Sequence, residues 1–151
     1  MRLSSMADYA VVTMSAAARH CGTALLVDAA GKRRARVSAG ELAEETGLPL
    51  PTVHKVIGLL GKAGLLRSMR GAGGGLQLAR PAAAITLADI VEAVEGPIAL
   101  TACVEHGKHD CALEGACCVQ PHWALVNDTL RGALAEVPLT RLAALEAREL
   151  A

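Results

Sequence analysis

Aromatic side chains are almost missing from this 151-residue sequence: Tyr9 and Trp123 are the whole inventory, and there is no phenylalanine. A binding surface of stacked aromatic rings is therefore excluded, and with it the RRM and OB-fold routes to single-stranded nucleic acid. No apolar run approaches the roughly eighteen residues of a membrane span. The longest, Ala10 to Ala18, is interrupted by Thr13 and Ser15. Asp8 falls where the apolar segment of a secretory leader would begin, which argues against reading the stretch after Arg2 as one. The expected location is the cytoplasm, with no membrane partner. Net charge is absent too: 15 Lys+Arg balance 15 Asp+Glu, and 20% charged residues against 52% hydrophobic ones exclude an intrinsically disordered chain. A domain of this length buries about two thirds of the surface its unfolded chain exposes, without staples.

The zero net charge hides an asymmetry. Residues 1–80 hold 11 Lys/Arg and 5 Asp/Glu, whereas residues 81–151 hold 4 and 10. A basic half joined to an acidic one fits a part that meets a polyanion and a part that does not. Uneven surface charge without function accounts for the same numbers.

Hydrophobic spacing and breakers set out the elements. From Ser4 to about Cys21, Tyr9, Val12 and Ala16 share a helical face, with Val11, Met14 and Ala18 beside it. Ala24–Val27 and Ala35–Val37 flank the basic stretch Asp28–Arg34, as either a short hairpin or a loop. Ser38 and Glu41 form a capping box for a helix to Thr46, and Gly47 supplies the left-handed position that ends it. Leu48-Pro-Leu-Pro51 forces an extended turn, and Pro51 opens the next helix. There Val53, Val56, Ile57 and Leu60 recur at core spacing, leaving Thr52, His54, Lys55 and Lys62 outward. Leu65–Arg70, the turn Gly71–Gly75 and Leu76–Leu78 read as strand, turn and strand. Two helices across a tight turn, followed by a ribbon, describe a winged helix-turn-helix.

Further on, Thr86 and Asp89 cap a helix with the stripe Leu87, Ile90, Val91 and Val94, ending at Gly96-Pro97. Residues 98–119 lack periodicity and read as a loop. Pro121 opens a long helix carrying Trp123, Val126, Leu130, Leu134 and Val137 until Pro138, a seam narrow enough to pack on a copy of itself. A short helix led by Leu142 and Leu145 spans Thr140 to Ala151. The fold class is mainly α with a small β-wing: a winged helix-turn-helix plus a long dimerisation helix.

Three constellations carry chemistry. The glycine turn has no Lys-Ser/Thr after it, and Leu76 occupies the third glycine position of a dinucleotide fingerprint, so nucleotide binding fails. A bulk-free tip with Arg70 beside it fits instead against a DNA backbone. Thr52, His54 and Lys55 head the second helix of the motif, which places such residues against major-groove base edges. Four of the five cysteines, Cys103, Cys111, Cys117 and Cys118, lie close together, while Cys21 stands alone. The tight pairs of zinc sites and of C-x-x-C redox chemistry are absent. Loose spacing on a glycine-bearing loop fits thiolates wrapped around an iron–sulfur cluster. Redox-active or free thiols fit the spacing equally well.

The opening Met1-Arg-Leu-Ser4 with Tyr9-Ala10, the Leu42-Ala43 to Gly47 helix, Ala63-Gly-Leu-Leu66 and Arg70-Gly-Ala-Gly-Gly-Gly75 together resemble the Rrf2-type transcriptional regulators. Ile90 to Val94, three of the cysteines and Trp123 extend the resemblance over nearly the whole chain. The group includes IscR, NsrR and RirA, and the cysteine wording is closer to the RirA-like and SUF-system regulators. The resemblance implies a winged helix-turn-helix DNA-binding domain over 1–80 and a cluster-binding loop with dimerisation helices over 81–151. It implies a homodimer with crossing long helices and an iron–sulfur cluster, 4Fe-4S ahead of 2Fe-2S, held by Cys103, Cys111 and Cys117. IscR-like members add a histidine three residues past the last cysteine, where Gln120 stands here, so His122 is out of register. NsrR-like members take the fourth ligand from an aspartate near the partner's N-terminus, a place matched by Asp8. Asp8 thus ranks ahead of an exogenous or absent fourth ligand, and of Cys118, His106, His109 and His122.

By the same resemblance Pro51, Thr52, His54 and Lys55 read bases and Arg70 enters the minor groove. His54 and Lys55 replace the acidic-amide pair of IscR-like members, so that operator does not carry over. The implied function is regulation of iron–sulfur assembly (SUF) or iron homeostasis genes through double-stranded palindromic promoter DNA, and not catalysis. Two alternatives stand beside it: a winged-helix regulator using the same cysteines as a cluster-free thiol sensor, and a small iron–sulfur electron-transfer protein.

Overall fold

The computed structural model describes residues 2–22, 36–71, 73–104, 111–113 and 115–149. Among them run α1 (Ser5–Gly22), α2 (Ala39–Thr46), α3 (Leu50–Lys62), strands β1 (Leu66–Met69) and β2 (Gly75–Leu78), α4 (Leu87–Glu95), α5 (Gln120–Ala135) and α6 (Leu139–Glu149). Short 3-10 turns sit at Ala82–Ala84 and Ala102–Val104. Mainly helical with a two-stranded antiparallel wing, this is the expected winged helix-turn-helix.

The helix ends follow the breakers closely. Ser38 Oγ accepts from Glu41 N at 3.1 Å while Glu41 Oε2 accepts from Ser38 N at 2.8 Å, closing the capping box of α2. Gly47, at φ 70°, returns its N–H to the Ala43 carbonyl at 3.0 Å and turns the chain. Helix α3 begins at Leu50, one residue before the expected start, with Pro49 as its cap and Pro51 inside the first turn, where a missing N–H costs nothing. Thr86 and Asp89 repeat the reciprocal box at the start of α4, at 2.9 and 3.2 Å. Helix α6 starts at Leu139, again one residue early, because Leu139 is itself wholly buried and its N–H reaches the Ile85 carbonyl at 2.8 Å.

Helix α1 differs most from its expected pattern. Tyr9, Val11 and Val12 are only half buried, whereas Thr13 and Ser15 are fully enclosed with Ala7, Ala10, Met14, Ala16 and Ala17. The cause is position: α1 packs against α2, α3, α4, α6 and β2 at once, so small side chains on every side become interior. Leu42 of α2, Val53, Val56 and Leu60 of α3, and Leu65 and Leu66 by the wing close over it, joined by Ile85, Ile90 and Leu139 in one cluster. A partly exposed network fastens α1 to α2: Arg19 Nη2 and His20 Nε2 lie 2.6 Å from opposite oxygens of Glu45.

The wing pairs Leu66 with Leu78 and Met69 with Gly75, so Leu66, Leu76 and Leu78 face inward. Val37 bridges Leu76 on the outer edge of β2, its N–H reaching the Leu76 carbonyl at 3.1 Å. Of the hairpin or loop expected over 24–37, residues 24–35 lie outside the described residues, and Val37 pairs with Leu76 of the wing. Of the expected seam on α5, Trp123, Leu130 and Leu134 are half buried and Val126 is 46% exposed, while Val137 falls just past the helix end at Ala135. Leu125, outside the seam, is 68% exposed, and the one buried side chain of the helix is polar, Asn127. None of the described helices is long and apolar enough to cross a membrane.

Two outcomes follow for stability. Thr13 Oγ1 and Ser15 Oγ are buried with no hydrogen-bond partner among the described residues. Thr13→Val, which deletes an unsatisfied hydroxyl at nearly constant shape, should raise stability by about 1 kcal/mol, read as a higher urea midpoint. Partial burial pushes the Glu45 carboxyl up, but hydrogen bonds and charge from His20 and Arg19 outweigh it and hold it below the usual carboxylate range. Its contribution is thus present above the unfolded-state value and lost as pH falls through the lower folded value. Glu45→Gln should cost up to about 1 kcal/mol near pH 7, with the gap to wild type closing as pH falls below about 4.

Candidate nucleic-acid interface and thiol loop

One stretch of the basic half is charged in a single sense. From Gly47 to Arg80 the chain holds Lys55, Lys62, Arg67, Arg70 and Arg80 and no Asp or Glu. This local run is a sharper signal than the balance of charge between the two halves. The capped turn at Gly47 and the proline-led start of α3 bring the first turn of that helix to the surface. Pro51, His54 and Lys55 are exposed and Thr52 is half buried, while Val53 and Val56 on the opposite side anchor the helix in the core. Leu50, absent from the expected set, is also 44% exposed at the helix start.

The wing puts Arg70 at the end of β1, exposed and next to the glycine turn. Gly74 has to be glycine: an added Cβ would sit 2.6 Å from the Met69 carbonyl oxygen and 2.9 Å from that of Gly71, and its N–H closes the turn on Gly71 at 2.8 Å. Arg36 was not singled out from sequence, yet its Nη1 donates to the Gly73 carbonyl at 2.6 Å and steadies the turn from outside. Arg67 donates to Gln77 Oε1 across the strands at 3.0 Å through Nη2. Thus α3 and the wing offer cations with no acid between them, the electrostatic footprint of a phosphate-backbone partner.

The thiols sit at the other end of the sequence. Cys103 lies in the turn Ala102–Val104, half buried, with its Sγ 3.2 Å from Thr101 Oγ1. Cys111 and Cys117 are half buried, and Cys118 is exposed. The Cys117 carbonyl receives the Gln120 N–H at 3.4 Å, so that cysteine abuts the start of α5, one turn from the half-buried Trp123. Asn127 holds the entrance to the loop: its Oδ1 accepts from Leu100 N at 3.0 Å and its Nδ2 donates to the Ile98 carbonyl at 2.9 Å. Nothing in the hydrophobic spacing marked it. Helix α5 is tied in turn to α4 by Arg131, whose Nε lies 2.8 Å from Glu92 Oε1.

Asp8 is exposed on the first turn of α1, its N–H bonded to the Ser4 carbonyl at 3.1 Å. Among the described residues, no three His, Cys, Asp or Glu side chains gather closely enough to hold a metal ion. His106 and His109 lie outside those residues; His122 is exposed on α5. Cys21 is remote from the loop in sequence and lies against the Leu76 carbonyl at 3.8 Å. Burial pushes its thiol above the ordinary value, against a smaller opposing pull from the Leu78 backbone.

A family model described as "Rrf2: Iron-dependent Transcriptional regulator" matches residues 3–145. The chain belongs to this family. It is a DNA-binding transcriptional regulator and not an enzyme, which sets aside the electron-transfer alternative. Among similar proteins is the HTH-type transcriptional regulator IscR of Escherichia coli, 30% identical over 142 residues covering 94% of this chain and 80% of that one. Two solved structures are also similar. T. potens IscR aligns with a TM-score of 0.66 and 28% identity over 99% of this chain and 90% of that one. The oxidized form of Staphylococcus aureus CymR aligns with 0.63 and 28% over 95% and 96%.

Replacing a cation on α3 and one on the wing should separate two kinds of readout. Lys55→Ala and Arg70→Ala should each weaken promoter binding by about 1–3 kcal/mol in fluorescence anisotropy, and each should lower the slope of affinity against salt by about one. The Arg70→Ala loss should be greatest where the wing-contacted positions are A/T-rich.

Proposed function

We propose that the chain is a cytoplasmic homodimeric regulator that reads iron–sulfur cluster status and controls iron–sulfur assembly (SUF) or iron homeostasis genes through a palindromic operator. Residues 1–80 serve as the DNA-binding part and residues 81–151 as the sensing and dimerisation part. Pro51, Thr52, His54 and Lys55 meet base edges, and Arg70 enters the minor groove. The uncovered Leu125 and Val126 of α5 meet the same helix of a second copy.

The donor set suits the cofactor: three thiols, each half buried, on one loop, which is the soft ligand type that iron–sulfur clusters take. Cys103, Cys111 and Cys117 would hold it, with Asp8 of the second copy as the fourth ligand. When bound, the group supplies oxidant- and iron-sensitive coordination. The chain's own residues supply the transmission, and the observation that carries this reading is the Asn127 clamp. Its amide joins the segment entering Cys103 to the middle of α5, so an ordered loop and a fixed α5 favour one another. Arg131 passes the position of α5 to α4 through Glu92, and α4 packs on α1 and α3. The spacing of the two α3 helices in the dimer is the output. An ordinary coupling of about 1–3 kcal/mol makes operator affinity respond by roughly 5- to 150-fold.

A second reading uses the same thiols as a cluster-free redox sensor, and the likeness to an oxidized form of CymR favours it. Anaerobic reconstitution separates the two. The cluster reading expects a coloured, iron- and sulfide-bearing dimer; a colourless, iron-free dimer whose operator affinity still follows oxidants would establish the thiol reading in its place. Replacing Cys103, Cys111 and Cys117 together by serine should abolish the response of promoter affinity to iron and oxidants. An unaltered response would overturn both readings. Asp8→Ala should change the absorbance spectrum of the reconstituted protein, and an unchanged spectrum removes Asp8 as ligand.

A further inference from the structure

At the base of the wing, on the end away from the glycine turn, a cleft of about 510 Å3 opens between the hairpin, the turn Ala82–Ala84 and the start of α6. Two arginines line it, Arg67 on β1 and Arg80 just beyond β2, and no acid is among its described lining residues. Arg67 spends Nε and Nη2 on the neutral Gln77 Oε1, at 3.2 and 3.0 Å, which leaves its charge uncompensated by that contact. Arg80 reaches Asp89 only at 3.6 Å, and the same Asp89 oxygen already accepts from Thr86 N at 2.9 Å and Thr86 Oγ1 at 3.0 Å. The rest of the described lining sets Leu78, Pro81 and Ala82 beside Cys21, Gln77 and Thr140 of α6. The cleft is open and its lining mixed, and its volume lies within the about 300–1,000 Å3 of small-molecule sites.

We propose that this cleft binds a small organic anion, its acidic head held by Arg67 and Arg80 and its apolar body laid on Leu78, Pro81 and Ala82. Guanidinium forks match a carboxylate in shape and charge. A DNA phosphate is the rival partner for these cations, but the cleft opens at the opposite end of the hairpin from Arg70, and a sugar-phosphate backbone has no use for the apolar lining. Occupancy would draw Arg80 from Asp89, the residue that caps α4, and α4 holds α5 through Glu92 and Arg131. The site therefore gives a metabolite a route to α5 that does not pass through the thiols. It extends the proposed function without depending on it.

Calorimetric titration of the full-length protein, free of DNA, tests the site with hexanoate as probe, hexanol as its uncharged counterpart and inorganic phosphate as a bare anion. Hexanoate should bind saturably and about tenfold or more tighter than either control. Arg67→Gln and Arg80→Gln should each weaken it by about tenfold. Ala83→Glu, at an exposed position on the cleft, should abolish binding without removing any lining side chain that holds the ligand. Absence of saturable binding, or binding that survives both arginine replacements and Ala83→Glu, overturns the proposal. So does phosphate binding as tightly as hexanoate, which would assign the two cations to a phosphate backbone.

Discussion

Everything in this fold leans on a helix made of small side chains. Helix α1 has neighbours on nearly every side, and alanines at 7, 10, 16 and 17 let them approach the backbone closely. Core packing is tight enough that an added methylene is felt, so bulk on α1 would push outward at once on the helices that present Lys55 and on those that lead to the thiols. The two hydroxyls of Thr13 and Ser15, without a partner among the described residues, are the cost of keeping such residues small. In exchange, one cluster of apolar contacts joins α3, the wing, α4 and α6, so the helix that presents Lys55 and the helices that lead to the thiols are mechanically continuous through it.

Most of the fold was legible because the local signals were chemical. The reciprocal caps at Ser38 and Thr86, the left-handed Gly47 and the proline pair before α3 each act within a few residues, so the sequence alone exposes them. Among the ends that moved by one residue, those at Leu50 and Leu139 moved where a proline or a buried leucine set the start. The inward face of α1 was not legible. Periodicity assumes one wet side, and Thr13 and Ser15 look wet until five elements surround them. Asn127 was hidden for a related reason: its worth lies in bonds to Ile98 and Leu100, nearly thirty residues upstream, and no local pattern records a long-range amide clamp.

The site divides along the same line. Exposure of Pro51, His54, Lys55 and Arg70 follows from helix phase and from the hairpin, both local. Arg36, which steadies the wing turn, was invisible because its partner is a backbone carbonyl across the fold. The cysteines carried a family resemblance, but the described residues do not draw three ligands into one place. Spacing states which atoms are available for a centre; it does not state how a chain folds to gather them.

The scarcity of aromatic rings has a practical side. Trp123 is the sole indole, half buried one turn into α5 and adjacent to the segment that ends at Cys117. Its fluorescence is therefore a native single-site optical reporter, placed by the protein itself at the junction between the thiols and α5. Quenching or a shift in emission would report a change at that junction in real time, with no label attached and only Tyr9 as background.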